Sequence, residues 1–147
     1  MEQIATIDGL PGMLKRLSRL PKTAQAEIRQ AAQAIADDEA SRIRSAGEAS
    51  SKQASVVAQF IKSRRDRVPA ISAGGSKKTG LPSGATAGQI FFGAEFGGQG
   101  RPTTQQFRPH TGTTGYFFYP TLRADSERMV QRWLGVVNAI EREWTGG

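Results

Sequence analysis

"IFFGAEFGGQGRP", Ile90 to Pro102, sets one carboxylate among three phenylalanines and then runs into glycines. Read as a strand, its period of two puts Ile90, Phe92, Ala94 and Phe96 on one face and Phe91, Gly93 and Glu95 on the other. A second aromatic run, "GYFFYP" (115–120), sets Tyr116 and Phe118 against Phe117 and Tyr119. Phenylalanine, tyrosine and isoleucine favour pleated structure. The two runs together therefore predict a short antiparallel sheet, with a long polar loop between them.

Glu95 is the only acidic residue between Asp66 and Asp125. A catalytic acid would need a titratable partner, and none is at hand in this part of the chain. A structural acceptor needs only donors. The backbone N–H groups of Gly97 and Gly98, or the guanidinium of Arg101 or Arg108, could supply them as charge-assisted bonds. Glycine permits the positive φ of a sharp corner. Glu95, Phe96, Gly97 and Gly98 are accordingly read as a structural turn that aims Phe96 and the loop beyond it.

Working outward, the chain before residue 90 divides into helix and hairpin. Leu10, Met13, Leu14 and Leu17 fall at helical spacing, with Asp8 as a candidate N-cap and Pro11 in the first turn. The alanine-rich stretch from Thr23 predicts a helix to about Ser45, with Ile28, Ala31, Ala32, Ile35 and Ile43 as its apolar stripe. Alanine in that stripe allows close approach of a neighbour, and Gly47 is a natural stop. "ASVVAQFIK" (54–62) reads either as a helix through Val56, Val57, Phe60 and Ile61 or as a strand. The reading adopted is a hairpin, turning at "SRRDR" and returning through "RVPAIS", whose Pro69 suits an edge. The segment 72–88, rich in Gly, Ser, Thr and Lys, reads as a flexible loop. At the other end, Met129, Val130, Trp133, Val136, Val137, Ile140 and Trp144 stripe a C-terminal helix that starts at Asp125 or Ser126 and stops at Gly146. The sum is α+β: N-terminal helices, a short antiparallel sheet with long loops, and a C-terminal amphipathic helix packed on the sheet.

Composition bounds the function. The 147 residues suit a single domain, 1–147. The absence of cysteine removes disulfides, thiolate nucleophiles and cysteine metal sites. No apolar run approaches the ~20 residues of a membrane span. The acidic N-terminus lacks the basic start and apolar stretch of a signal peptide, so a protein made in a cytoplasm is expected. The formal charge of +7 is concentrated: residues 1–51 are neutral, 52–78 carry +6, and 79–147 carry +1. Such a patch attracts phosphates or acidic surfaces over about a Debye length, ~8 Å at physiological salt.

Little equipment for catalysis is visible. His110 stands alone in a Gly/Thr-rich loop. Asp37, Asp38 and Glu39 are successive and point in different directions around a helix, so they do not converge on a metal; a solvated face is expected. "GGSKKTG" lacks the Gly-Lys-Ser/Thr spacing of a phosphate loop. The expectation is a protein with no enzymatic activity, cofactor or metal. Aromatics exceed what one sheet face can bury, and those left over suit an intersubunit contact.

Two motifs carry a family resemblance. Glu95-Phe96-Gly97 is a Glu-aromatic-Gly motif; Tyr119-Pro120-Thr121-Leu122-Arg123 is an aromatic-Pro-x-hydrophobic-Arg segment leading into the last helix. With the "GL" opening and the helix "AAQAIADDEASR", the chain resembles the gp-ten-like neck and tail-completion proteins of long-tailed bacteriophages. The resemblance implies a structural virion protein, assembled in the host cytoplasm into a homo-oligomeric, hexameric ring where head connector meets tail tube. Its implied partners are copies of itself, neighbouring neck and tail-tube proteins, and the passing DNA. In that setting Arg64, Arg65, Arg67, Lys77 and Lys78 are the expected charged contacts. Phe91, Phe96, Phe107 and Tyr116 are the expected packing contacts. The other class the sequence supports is a basic nucleic-acid-binding module built on 52–78, where lysine and arginine cluster near Phe60.

Overall fold

A computed structural model describes residues 7–98, 107–110 and 112–146. The architecture is α+β, with five helices and one two-stranded antiparallel sheet in the described residues. Helix α1 (Leu10–Leu17) leads into α2 (Lys22–Ser50) and α3 (Lys52–Ala58). The hairpin β1 (Lys62–Arg64) and β2 (Ala70–Ser72) comes next, followed by α4 (Ala87–Phe96) and α5 (Phe118–Thr145).

The two long helices form the frame. At 29 residues, α2 extends about 43 Å at the 1.5 Å rise of a helix. Its buried stripe of Ala24, Ile28, Ala32, Ile35, Ala36, Ala40 and Ile43 repeats at three and four residues, with every alanine fully buried. Alanine brings α5 close, as the stripe predicts. The helices run antiparallel: Glu27 meets Trp144, and Asp38 meets Arg132 eleven residues further along α2 and twelve back along α5. From the α5 stripe, Trp133, Val137 and Ile140 are buried, while Trp144 is 37 % exposed.

The core has two parts strung along this pair. One joins Leu17, Leu20 and the first half of α2 to Trp133, Val137 and Ile140. The other joins the second half of α2 to α3, α4 and Phe117–Tyr119. The hairpin bridges them, with Val68 packed on the first and Ile71 on the second. Its register pairs Lys62 with Ser72 and Arg64 with Ala70. The Trp133 indole N–H donates to the Arg67 carbonyl at 2.8 Å, fastening the turn to α5.

The two aromatic segments correct the expected sheet: the first forms α4, and the second enters α5 at Phe118. In α4 the buried residues are Ala87, Ile90, Phe91, Ala94 and Glu95, a spacing of one face of a helix and not of alternate positions. Thr86 and Gln89 start it with a reciprocal capping box. Phe118 and Tyr119 form the first turn of α5, which therefore begins seven residues before Asp125. The ambiguous "ASVVAQFIK" is helix for most of its length, with Ser51 capping α3 and only Lys62 reaching β1. The hairpin exists, but its strands are three residues each. Further corrections are local. Gly9, in a left-handed conformation, takes the N-cap of α1 in place of Asp8. Helix α2 passes through Gly47, where an added Cβ would lie 3.1 Å from the Phe117 ring and 3.2 Å from Ala58 Cβ. That glycine is a close-packing point and not a stop.

Candidate functional site

Glu95 is wholly buried on the inward face of α4. Its Oε1 accepts from the backbone N–H groups of Tyr116 at 3.1 Å, Phe117 at 2.9 Å and Phe118 at 3.0 Å. Oε2 accepts from Tyr119 N–H at 2.6 Å. The Tyr116 N–H is shared with the Glu95 carbonyl, at 2.8 Å. A helix leaves its first N–H groups without intrahelical partners and carries partial positive charge there. At α5 those needs are met in full. Glu95 takes Phe118 and Tyr119, Pro120 has no N–H to satisfy, and Thr121 N–H reaches the Phe117 carbonyl. Gly115, at φ 83°, makes room for this: a Cβ there would overlap the Glu95 carboxylate.

The acceptor role expected of Glu95 is present, but the donors differ from those named in the sequence. Gly97 caps the end of α4 with φ 84° and donates to the Gly93 carbonyl, and Gly98 donates to the Arg108 carbonyl. Neither donates to Glu95, because α4 turns that side chain inward, away from its own C-terminus. Arg108 is engaged elsewhere. Its two terminal nitrogens donate to Ser50, at the C-terminus of α2, and its guanidinium carbon lies 3.6 Å from the centroid of the Tyr116 ring. The Tyr116 hydroxyl donates to the Pro109 carbonyl at 2.7 Å. Arg101 lies outside the described residues.

Around Glu95 the aromatics make a continuous path from core to surface. Phe91 meets Phe118 edge-on, Phe96 stacks on Tyr119 at 5.6 Å, and Phe92 stacks on Phe96 at 6.4 Å. Phe92 is 65 % exposed. Of the residues expected to pack against another subunit, Phe91 is corrected: it is buried in the chain's own core, where α4 rotates it inward. Phe96, Phe107 and Tyr116 are half-buried and already packed within the chain. Phe107 lies over Gly93, where a Cβ would come within 2.7 Å of the ring. The exposed member of the group is Phe92, which the alternating pattern assigns to the same face as Phe96.

The basic residues gather on the hairpin and the segment after it. Arg64, Arg65 and Lys77 are exposed. Arg67 is half-buried, and Lys78 donates its ammonium to the Gly84 carbonyl. His110 is exposed, and its Nδ1 accepts from Gly112 N–H.

A second titratable cluster lies between α2 and α5. Ile35, Asp38, Glu39, Arg42, Arg128, Met129 and Arg132 line a small cavity. Asp37 and Asp38 face solvent as expected, but Glu39 does not: it is 1 % exposed, and its Oε1 has no partner. Burial pushes its carboxyl up to about 7, and a hydrogen bond with Asp125 adds to the shift. The hydrogen bond from Arg132, with the charge of that guanidinium, lowers the neighbouring Asp38. Among the described residues no group of three or more His, Cys, Asp or Glu side chains could hold a metal ion, and no helix is long and apolar enough to cross a membrane.

Compared with known protein families, curated proteins and solved structures, the chain matches none.

Proposed function

We propose that this chain is a non-enzymatic structural protein of the neck of a long-tailed phage, assembling into a ring that joins or completes the tail at its junction with the head. The observation that carries the reading is the bond between Glu95 and residues 116–119. The Glu-aromatic-Gly motif and the segment leading into the last helix, which together carry the resemblance, are two halves of one buried hydrogen-bonded joint. A carboxylate whose four hydrogen bonds all come from backbone N–H groups has a structural task. That task is to hold α4 rigidly on α5 and so to fix the direction of Phe92 and Phe96.

A ring requires a surface that meets its own copy or a neighbour, and binding energy at such surfaces concentrates in a few aromatic anchors. Phe92 supplies one, backed by the Phe96–Tyr119 stack and therefore ordered before contact. Sizing the purified protein alone and with tail-tube and connector proteins, followed by electron microscopy, tests the reading. The expected result is closed rings, alone or on tail ends, that Phe92→Asp prevents while leaving the helical circular-dichroism signal intact. A monomer that joins no ring with any tail or connector protein would overturn it.

A further inference from the structure

The basic excess belongs to a mounted element. Lys62 and Arg64 occupy the two exposed positions of β1, either side of the inward Ser63. Arg65 follows at the turn, and Lys77 lies just beyond β2. No described ion pair involves any of the four. The nearby acids Asp66 and Asp37 accept from the Arg67 N–H and the Ser63 hydroxyl, and neither forms a described ion pair with these cations. The mount itself is fixed by the Trp133–Arg67 bond and by Val68 and Ile71 in the two parts of the core. The hairpin thus holds Lys62, Arg64 and Arg65 outward, with Lys77 exposed in the segment that follows, and none of the four has a described ion pair.

We infer that the exposed side of the β1–β2 hairpin, through Lys62, Arg64 and Arg65, together with Lys77 from the segment that follows, binds the sugar-phosphate backbone of nucleic acid without reading its sequence. Two features favour this over an acidic protein surface. Same-face residues on a strand stand about 6.6 Å apart. Phosphates recur at a regular ~3.4 Å axial rise along each strand of a duplex and are separated further by its winding, so two same-face cations can meet neighbouring phosphates, a regular array that a protein surface lacks. Among the described residues, the large apolar side chains that are exposed, Leu81, Phe92 and Trp144, all lie outside the hairpin. Protein interfaces centre on aromatic and apolar anchors and, although they enrich arginine, deplete lysine, whereas phosphate contacts need only positioned cations. The strands are only three residues long and present long flexible cations, which suit phosphate contact, so binding is expected to ignore sequence. This holds whether or not the chain belongs to a phage neck.

Fluorescence anisotropy with a labelled 20-base-pair duplex, a single strand of the same length and poly-L-glutamate tests it, with the full chain at 50–200 mM salt. Four phosphate contacts predict a slope of log Kobs against log salt of about −3.6 for the duplex and about −2.8 for the single strand. Duplex affinity should then fall about 150-fold over that range. Duplexes of unrelated sequence should bind alike. The combined variant Lys62→Gln, Arg64→Gln, Arg65→Gln and Lys77→Gln should flatten the slope and lose binding at least ten-fold, while Arg19→Gln, an exposed cation on another face, should change it less than two-fold. A slope shallower than −1, binding by the four-fold variant within two-fold of the unmodified chain, or poly-L-glutamate bound more tightly than either nucleic acid would overturn the inference.

Discussion

Glu95 and Tyr119 are joined by a 2.6 Å bond from a backbone N–H to a buried carboxylate oxygen, across 24 positions of sequence. This is an N-cap supplied from another helix. Glu95→Gln keeps the shape but exchanges one acceptor oxygen for an NH₂ group that must face a backbone N–H. Loss of a charge-assisted acceptor with its donors still buried costs about 2–4 kcal/mol. Urea denaturation should show that loss as a lower midpoint, with Glu95→Ala at least as damaging.

Gly115 and Gly112 both adopt positive φ, at 83° and 68°. Their surroundings differ: a Cβ at Gly115 would overlap Glu95, whereas at Gly112 nothing lies within 4 Å. Gly112→Ala should therefore lose only the conformational term, about 1 kcal/mol. Gly115→Ala should lose more, because it also displaces the carboxylate from the start of α5. Thermal melts of the two single variants check the ordering, and equal losses would show that the overlap is relieved at no cost.

Glu39 makes stability fall as pH rises. Its folded carboxyl titrates at about 7, above the ordinary 4.5 of the unfolded chain. Below pH 4.5 both states hold the proton and no penalty arises. Through the window up to 7 the folded state must retain a proton that the unfolded state has released, and above 7 the full penalty applies. By the relation between pKa and free energy it amounts to about 3 kcal/mol at most. Glu39→Gln should raise the melting temperature at pH 8, have little effect at pH 4, and flatten the profile between. Asp38 shifts in the opposite direction but is solvent-exposed, so it should contribute little.

Trp133→Phe keeps most of the buried ring and removes the N–H that holds the Arg67 carbonyl. The expected loss is about 1–2 kcal/mol. Its signature is local: amide hydrogen exchange should quicken in residues 62–72 more than in α2.

The long helices were legible because each needs many residues at one spacing, and the alanine and tryptophan stripes supplied them. The short elements were not. Ile90, Phe91 and Phe92 favour strand by intrinsic preference, and packing against α3 and Phe118 overrides a preference of that size. A signal for the helix was present in the Thr86-x-x-Gln89 capping box just ahead of the apolar run. Glu39 was also readable. It lies three or four residues from Ile35, Ala36 and Ile43 on the buried stripe, so one of three successive acids had to face inward. The role of Glu95 as an acceptor followed from its isolation among apolar residues. Its donors did not, because no local pattern links residue 95 to residues 116–119.

That distance has a consequence for folding order. The opening turn of α5 takes its N-terminal acceptor from 21 to 24 residues upstream, so it cannot close until α4 has docked. The C-terminal half of α5 meets α2 across 94 to 117 residues, a longer loop than the one between Glu95 and the start of the helix, so the α4–α5 joint should close first. A refolding chain should therefore hold its last helix half-made, with the stretch around Phe118 gaining protection from solvent before the C-terminal half packs on α2.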